Sequence, residues 1–232
     1  MRLNRFFGNF ALENKTILVT DAELVHQIKN VLRLRIGDII ILCDGKGKEA
    51  RAAILNLNRD GILTGIQEFI ENKNEPRLHT ILYCSILKNE SFELVAEKTT
   101  EIGIKEIVPI ITARTVKTNL HHERQEKILK EAAEQSGRAV IPILHPPMNF
   151  KEAIRKAQDN TANVFFDPSG GDFKKPKVSK AERVGIFIGP EGGWDDNELL
   201  LAKKNKFQIV TLSPLTFRAE TAAIIGTYLL CR

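Results

Sequence analysis

The sequence predicts a two-part α/β protein, with a small β-rich module followed by a domain built on a parallel sheet. Three observations predict it. Strand and hairpin signals crowd the chain up to Ile70. A polar stretch containing proline, Glu71 to Arg77, shows no periodicity and reads as a linker. Beyond it, short apolar runs alternate with helical stripes, the pattern of a parallel α/β sheet. The expected domains span 1–72 and 73–232.

In the first module, Arg5 to Phe7 and Thr16 to Val19 read as short strands. Thr20 or Asp21 can cap a helix whose apolar stripe is Leu24, Val25, Ile28, Val31 and Leu32. Ile39 to Leu42, a turn at Asp44 to Gly47, and Ala50 to Leu55 form a hairpin signal, and Gly61 to Ile70 adds a strand.

In the second part, His79 to Ile86 and Ile107 to Ile111 are strands. Between them Phe92, Val95, Thr99 and Ile102 make a helical stripe that Gly103 stops. A helix is expected over about His122 to Ser136 and a short one at Ala153 to Ala157. Asn163 to Phe166 is a strand that enters a loop, Asp167 to Gly171. The lysine-rich run Asp172 to Arg183 reads as a mobile basic loop.

The most informative stretch is Val184 to Thr221. Val184 to Ile188 is a buried strand, broken by Gly189-Pro-Glu-Gly-Gly193. Adjacent glycines permit positive φ and let a ligand approach the backbone. Asp195 and Glu198 have capping-box spacing and start a helix. Phe207 to Thr211 is a further strand, expected to be parallel and adjacent to the first. A second irregular loop, Leu212 to Thr221, leads into an apolar helix from Ala222 to Leu230. In open α/β sheets the ligand crevice lies outside the carboxyl ends of the strands. Arg218 and Glu220 stand where the chain enters that apolar helix. An unpaired buried charge is costly, so the two are expected either to serve a ligand or to close the helix start as an ion pair.

Composition sets the outer bounds. A hydrophobic fraction of 43% with mixed charges fits a soluble globular protein. No run has the length of a membrane span, and the N-terminal stretch lacks a signal-peptide core. Cys43, Cys84 and Cys231 are scattered and have no metal-type spacing, which predicts reduced thiols in the cytoplasm and no metal. A net charge of +5 permits a polyanionic partner. Arg2 and Arg5, then Lys29, Arg33 and Arg35, form local basic clusters, which are either a surface for a polyanion or a solvated face.

IGPEGGW-x-x-x-E, from Ile188 to Glu198, and L-x-x-x-x-x-R-x-E-T-A, from Leu212 to Ala222, resemble the two signatures of a known family. It is the ribosomal-RNA uridine-N3 methyltransferase branch (RsmE) of the knotted, SPOUT-class methyltransferases. The resemblance covers nearly the whole chain. His26 through Asp38 resembles a stretch of the family's PUA-like N-terminal domain. Lys88 with Glu97 to Gly103 resembles its lysine-plus-glutamate helix, and Glu131 to Arg138 its A-x-Q-S-x-R segment. Ser213 stands where the family has glycine, and Leu215, Thr216 and Phe217 where it has Arg-Ile-Leu.

The resemblance implies a trefoil-knotted α/β methyltransferase domain behind a PUA-like RNA-binding domain. It implies a homodimer that binds S-adenosylmethionine between three loops, Phe166 to Pro168, Ile188 to Gly193 and Leu212 to Phe217. The cofactor contacts implied are Phe166, Ile188, Gly189, Gly192, Gly193, Leu212, Ser213, Leu215 and Phe217. The substrate implied is a uridine of small-subunit (16S) ribosomal RNA, as RNA or within the assembled subunit. Arg5, Arg33, Arg35, Lys88, Gln135 and Arg138 are the expected RNA contacts. Uracil N3 carries a proton and becomes nucleophilic only when that proton leaves, so the site needs a base or a charge that stabilises the anion. Arg218 is the candidate stabiliser; Glu191 and Glu220 are candidate bases. The alternatives are a knotted methyltransferase acting on transfer RNA or a ribose 2′-OH, and a non-catalytic RNA-binding protein. A Rossmann oxidoreductase is disfavoured by the absence of G-x-G-x-x-G.

Overall fold

In the computed structural model of the chain, residues 3–88, 90–116, 118–176 and 182–231 are described. The chain divides into two compact units, residues 1–75 with 133–141, and residues 76–132 with 142–232.

The strands of the first unit are Arg5–Phe7 (β1), Thr16–Val19 (β2), Ile39–Cys43 (β3), Glu49–Asn58 (β4) and Gly61–Ile70 (β5). They form one sheet in the order β1-β3-β4-β5-β2. β3 and β4 are the expected antiparallel hairpin. The Asp44 carboxylate shapes its turn by accepting from the amides of Lys46 and Lys48. Asp21 caps Ala22–His26 (α1), its carboxylate accepting from Leu24 N at 2.9 Å. The stripe then departs from expectation. Leu24 and Ile28 are buried, but Gln27–Val31 is a π-type turn, and Val31 and Leu32 are left exposed. A wider turn takes more residues per revolution, so the last two apolar positions rotate out to solvent.

The stretch read as a linker is stitched down within this unit as far as Glu75. Asn72 Nδ2 donates to Glu49 Oε2 and to Gly137 O. Glu75 accepts from the Arg138 guanidinium and from the amides of Ala139 and Val140. Two polar side chains of the strap thus hold the segment 133–141 in the first unit.

The second unit contains His79–Ser85 (β6), Ser91–Ile102 (α2), Glu106–Ile111 (β7) and His122–Ser136 (α3), whose last residues from Ala133 belong to the first unit. Ile143–Leu144 (β8), Met148–Asn149 (β9) and Phe150–Lys156 (α4) follow. Ala162–Asp172 (β10), Arg183–Ile188 (β11), Asp196–Lys204 (α5), Gln208–Thr211 (β12) and Ala219–Cys231 (α6) complete it. The sheet order is β12-β10-β11-β6-β7-β8, with β9 also on β7, and these pairings are parallel. One expectation is corrected here. β11 and β12 are parallel but not adjacent, because β10 lies between them and bonds to both. Local patterning marks all three as buried strands and carries no information on their order.

The stretch expected as a loop after Phe166 is a continuation of β10. Its register on β12 slips between Phe166 and Gly171, so the chain bulges and then pairs again. A Cβ at Gly170 would lie 2.5 Å from the Val210 backbone, which explains a glycine there. The basic run expected as a mobile loop falls in part on 177–181, outside the described residues.

Aromatic side chains fill the core beneath the sheet. Tyr83 stacks on Phe187 at 4.4 Å, and Trp194 lies 4.2 Å from Phe165. The terminal helix α6 packs against α2, β6 and β11. Among the described residues no helix is long and apolar enough to cross a membrane.

Candidate functional site

Because β6, β10, β11 and β12 are parallel, the segments that follow β6, β11 and β12 emerge at one edge of the sheet, beside the bulge of β10 after Phe166. They enclose a cavity of about 790 Å³. It has the size of sites that take a nucleoside-sized ligand. Phe166, Ile188, Gly189, Gly192, Gly193, Leu212, Ser213, Leu215 and Phe217 all line it, as do Lys88, Glu191, Arg218 and Glu220.

The walls are tied to one another by named bonds. The Trp194 indole is buried and its Nε1 donates to Phe166 O at 2.9 Å, linking the β11 loop to β10. A Cβ on Gly189 would sit 2.9 Å from the same indole. Gly193 has φ of +69° and donates its amide to Pro190 O. At Gly192 a Cβ would meet only ordinary contacts, 3.5 Å from Arg114 Cβ. The geometric demand for glycine in this loop therefore falls on Gly189 and Gly193. Asp195 and Glu198 form the expected capping box at the start of α5. In the third loop, Ser213 Oγ accepts from Leu215 N, and Thr211 Oγ1 donates to Ser213 O. The serine hydroxyl thus shapes the turn.

The three charged candidates differ in their surroundings. Arg218 is exposed, and among the described residues no ion-pair partner holds it. Of the two alternatives for Arg218 and Glu220, the ion pair closing the helix start is not formed. Glu220 is half-buried at the first turn of α6, where a helix N-terminus favours a carboxylate. Glu191 is exposed, yet its Oε1 accepts from Lys88 N at 2.8 Å, pinning the β11 loop to the segment after β6. Beneath them burial pushes the Cys84 thiol up, and the charges of Glu191 and Glu220 push it further, so it stays protonated. Among the described residues no group of His, Cys, Asp or Glu is arranged to hold a metal ion.

The expected RNA contacts separate into two sets. Arg33, Arg35, Gln135 and Lys88 are exposed. Arg5 and Arg138 are not available. The Arg5 guanidinium is bonded to the buried Glu49 at 2.7 Å, and Arg138 is 4% exposed and paired with Glu75. Their charge neutralises the buried Glu49 and half-buried Glu75 carboxylates.

Sequence reasoning passed over Trp194, Arg114 and Glu198 as site-building residues. Glu198 is buried and accepts from Ala113 N as well as Asp195 N, and Arg114 Nη1 donates to Gly192 O. Trp194 and Glu198 stand in the signature from Ile188 to Glu198, and Glu198 also has capping-box spacing, whereas no sequence signal marks Arg114.

The comparisons with known proteins agree with one another. A family model described as RNA methyltransferase domain matches residues 73–230, and one described as RNA methyltransferase PUA domain matches residues 19–67. The ribosomal RNA small subunit methyltransferase E of Mesomycoplasma hyopneumoniae is 34% identical over 95% of each chain. That of Synechocystis is 32% identical over 91% of this chain and 71% of its own. The crystal structure of a ribosomal RNA small subunit methyltransferase E from Neisseria gonorrhoeae, bound to S-adenosyl methionine, matches with a TM-score of 0.86. It is 28% identical and covers 98% of this chain and 96% of that one. With a PUA-type module, a parallel sheet and a strand-end cavity in one chain, this protein belongs to the ribosomal RNA small subunit methyltransferase E family.

Proposed function

We propose that this protein binds S-adenosylmethionine in the strand-end cavity and methylates N3 of a uridine in small-subunit ribosomal RNA. The observation that carries this reading is the cavity itself, with three strand-end segments around one space and an unpaired Arg218 on its wall. The residues fit the cofactor. Ile188, Leu212 and Phe217 offer apolar surface for an adenine ring, and the irregular loops offer main-chain donors and acceptors for its edges. The Neisseria relative carries this molecule. When bound, the cofactor supplies an activated methyl group on a sulfonium.

The chain's own residues deal with the uracil. Glu220 is the acceptor for the N3 proton, and Arg218 holds the resulting anion through O2 or O4. A fixed guanidinium favours the anion over the neutral base, and its effect grows as charge develops. Glu191 is assigned to holding the loop, because its Oε1 is already bonded to Lys88 N. N3 lies on the Watson–Crick edge, so a paired target has to leave its stack. In the PUA-type unit, exposed Arg33 and Arg35 beside exposed Val31, Leu32 and Ile36 form the RNA surface.

The reading includes the family's homodimer, its cytoplasmic setting and its trefoil knot. The path of the chain supports the knot. β12 lies at the sheet edge beyond β10, yet α6 packs on β6 and β11, so the segment between them crosses the strand ends. Nucleoside mapping of ribosomal RNA from cells with and without the protein tests the function. Loss of one N3-methyluridine from small-subunit RNA is expected. An unchanged small-subunit RNA, with a change in transfer RNA or in a 2′-O-methyl instead, would overturn it.

A further inference from the structure

Outside the cavity, one cation is directed at the glycine loop. Arg114 follows β7, and its Nη1 donates to Gly192 O at 2.8 Å. Its own segment is well anchored. Thr115 N donates to Thr112 O, Thr112 N donates to Thr115 Oγ1, and Ser85 Oγ bonds to Thr115 Oγ1. Ala113 N donates to the buried Glu198 carboxylate, which also caps α5. The side chain extends from this base beside Gly192, where a Cβ would lie 3.5 Å from Arg114 Cβ and 3.6 Å from Cδ. Arg114 itself does not line the cavity.

We infer that Arg114 is a positioning residue, which sets the Gly192–Gly193 peptide for cofactor binding by holding the Gly192 carbonyl from outside the cavity. The inference rests on the cofactor reading above. Gly193 has φ of +69° and closes a turn on Pro190 O, so this short segment has few local restraints beyond one amide bond. A glycine pair is the most freely rotating backbone in the chain. The Gly193 amide is already bonded to Pro190 O, so the arginine secures the carbonyl side of the same peptide and with it the course of the main chain along the cavity wall. The entropy of ordering the loop is then met on folding rather than on binding. Arginine suits the task, because a planar guanidinium loses little freedom per bond formed.

Calorimetric titration of the full chain with S-adenosylmethionine, alongside melting of the ligand-free protein, tests this. Arg114→Ala is expected to weaken binding about tenfold, the scale of a lost charge-assisted hydrogen bond, with ligand-free melting unchanged. Arg114→Lys keeps a donor and is expected to recover most of the affinity. Wild-type affinity in Arg114→Ala overturns the inference. So does an affinity loss that Arg114→Lys does not relieve. If Arg114→Ala melts early, Arg114→Met retains the packed stem without the donor. Weakened binding at wild-type melting in that variant supports the positioning role, and unchanged binding overturns it. A wild-type chain that binds no S-adenosylmethionine overturns the cofactor reading itself, an outcome distinct from the others.

Discussion

Trp194 and Phe166 are joined by a hydrogen bond from the indole Nε1 to the main-chain oxygen, 2.9 Å long and buried. It ties the loop after β11 to β10 where that strand begins to bulge, and so fixes two walls of the cavity relative to each other. Trp194→Phe keeps the ring and removes the donor. The Phe166 carbonyl is then left without this partner, which costs about 1–3 kcal/mol. Thermal melting should show that loss, and calorimetry should show weaker S-adenosylmethionine binding. Unchanged melting and affinity would mean that packing alone holds the two loops.

Arg218→Ala should separate binding from chemistry. The side chain is exposed and has no ion-pair partner among the described residues, so its removal leaves no carboxylate stranded. The variant should fold and bind cofactor normally. Single-turnover methylation should slow by roughly 10²–10³-fold, the scale of a lost charge stabiliser. Raising the pH should restore part of the rate, because hydroxide then supplies the uracil anion that the arginine no longer favours. A normal rate would remove Arg218 from the mechanism. A slow variant without recovery at high pH would assign it to orientation instead.

Replacing Arg33 and Arg35 together with Gln should weaken RNA binding regardless of sequence. It should also flatten the dependence of affinity on salt by roughly one to two units of slope. Both side chains are exposed, so folding should be unaffected. Filter binding across a salt series measures this. The same treatment of Arg5 or Arg138 should act through stability, since each neutralises a carboxylate within the first unit.

At the opposite end of the sheet from the cavity, the Glu106 carboxylate is held at about 2, well below the usual range. The hydrogen bond from His145 is the main cause, with His79 and Arg183 adding to it against the cost of burial. Lys156 lies behind His145. A depressed folded value means that the carboxylate's contribution is complete above its unfolded value. That contribution is lost as pH falls through about 4.5 and down toward 2. Glu106→Gln should therefore destabilise the protein by on the order of 2–3 kcal/mol at pH 7. Denaturant titrations at pH 7, 5 and 3 should show the gap narrowing with acid. A gap that stays constant would mean that the charge of Glu106 is not what stabilises this cluster.

Much of the molecule follows from local sequence. Val184 to Ile188 and Asn163 to Phe166 are apolar and rich in β-branched or aromatic residues, so they form buried strands wherever they are placed. Asp21, and Asp195 with Glu198, start helices because a carboxylate three residues from an orphan amide satisfies it. The glycine-rich and Arg218 loops could be singled out as candidate ligand loops for a similar reason, since irregular backbone after a buried strand emerges at the sheet edge. Tertiary structure decided what periodicity does not encode. The placement of β10 between β11 and β12 is a matter of pairing between distant segments, and all three strands read alike. Arg5, Arg33, Arg35 and Arg138 are equivalent as residues, yet two meet carboxylates far along the chain and two meet water. Trp194 and Arg114 build the site through bonds to Phe166 and Gly192, partners 28 and 78 positions away. Such bonds depend on the approach of two backbones in space, which a local pattern of residue types does not carry.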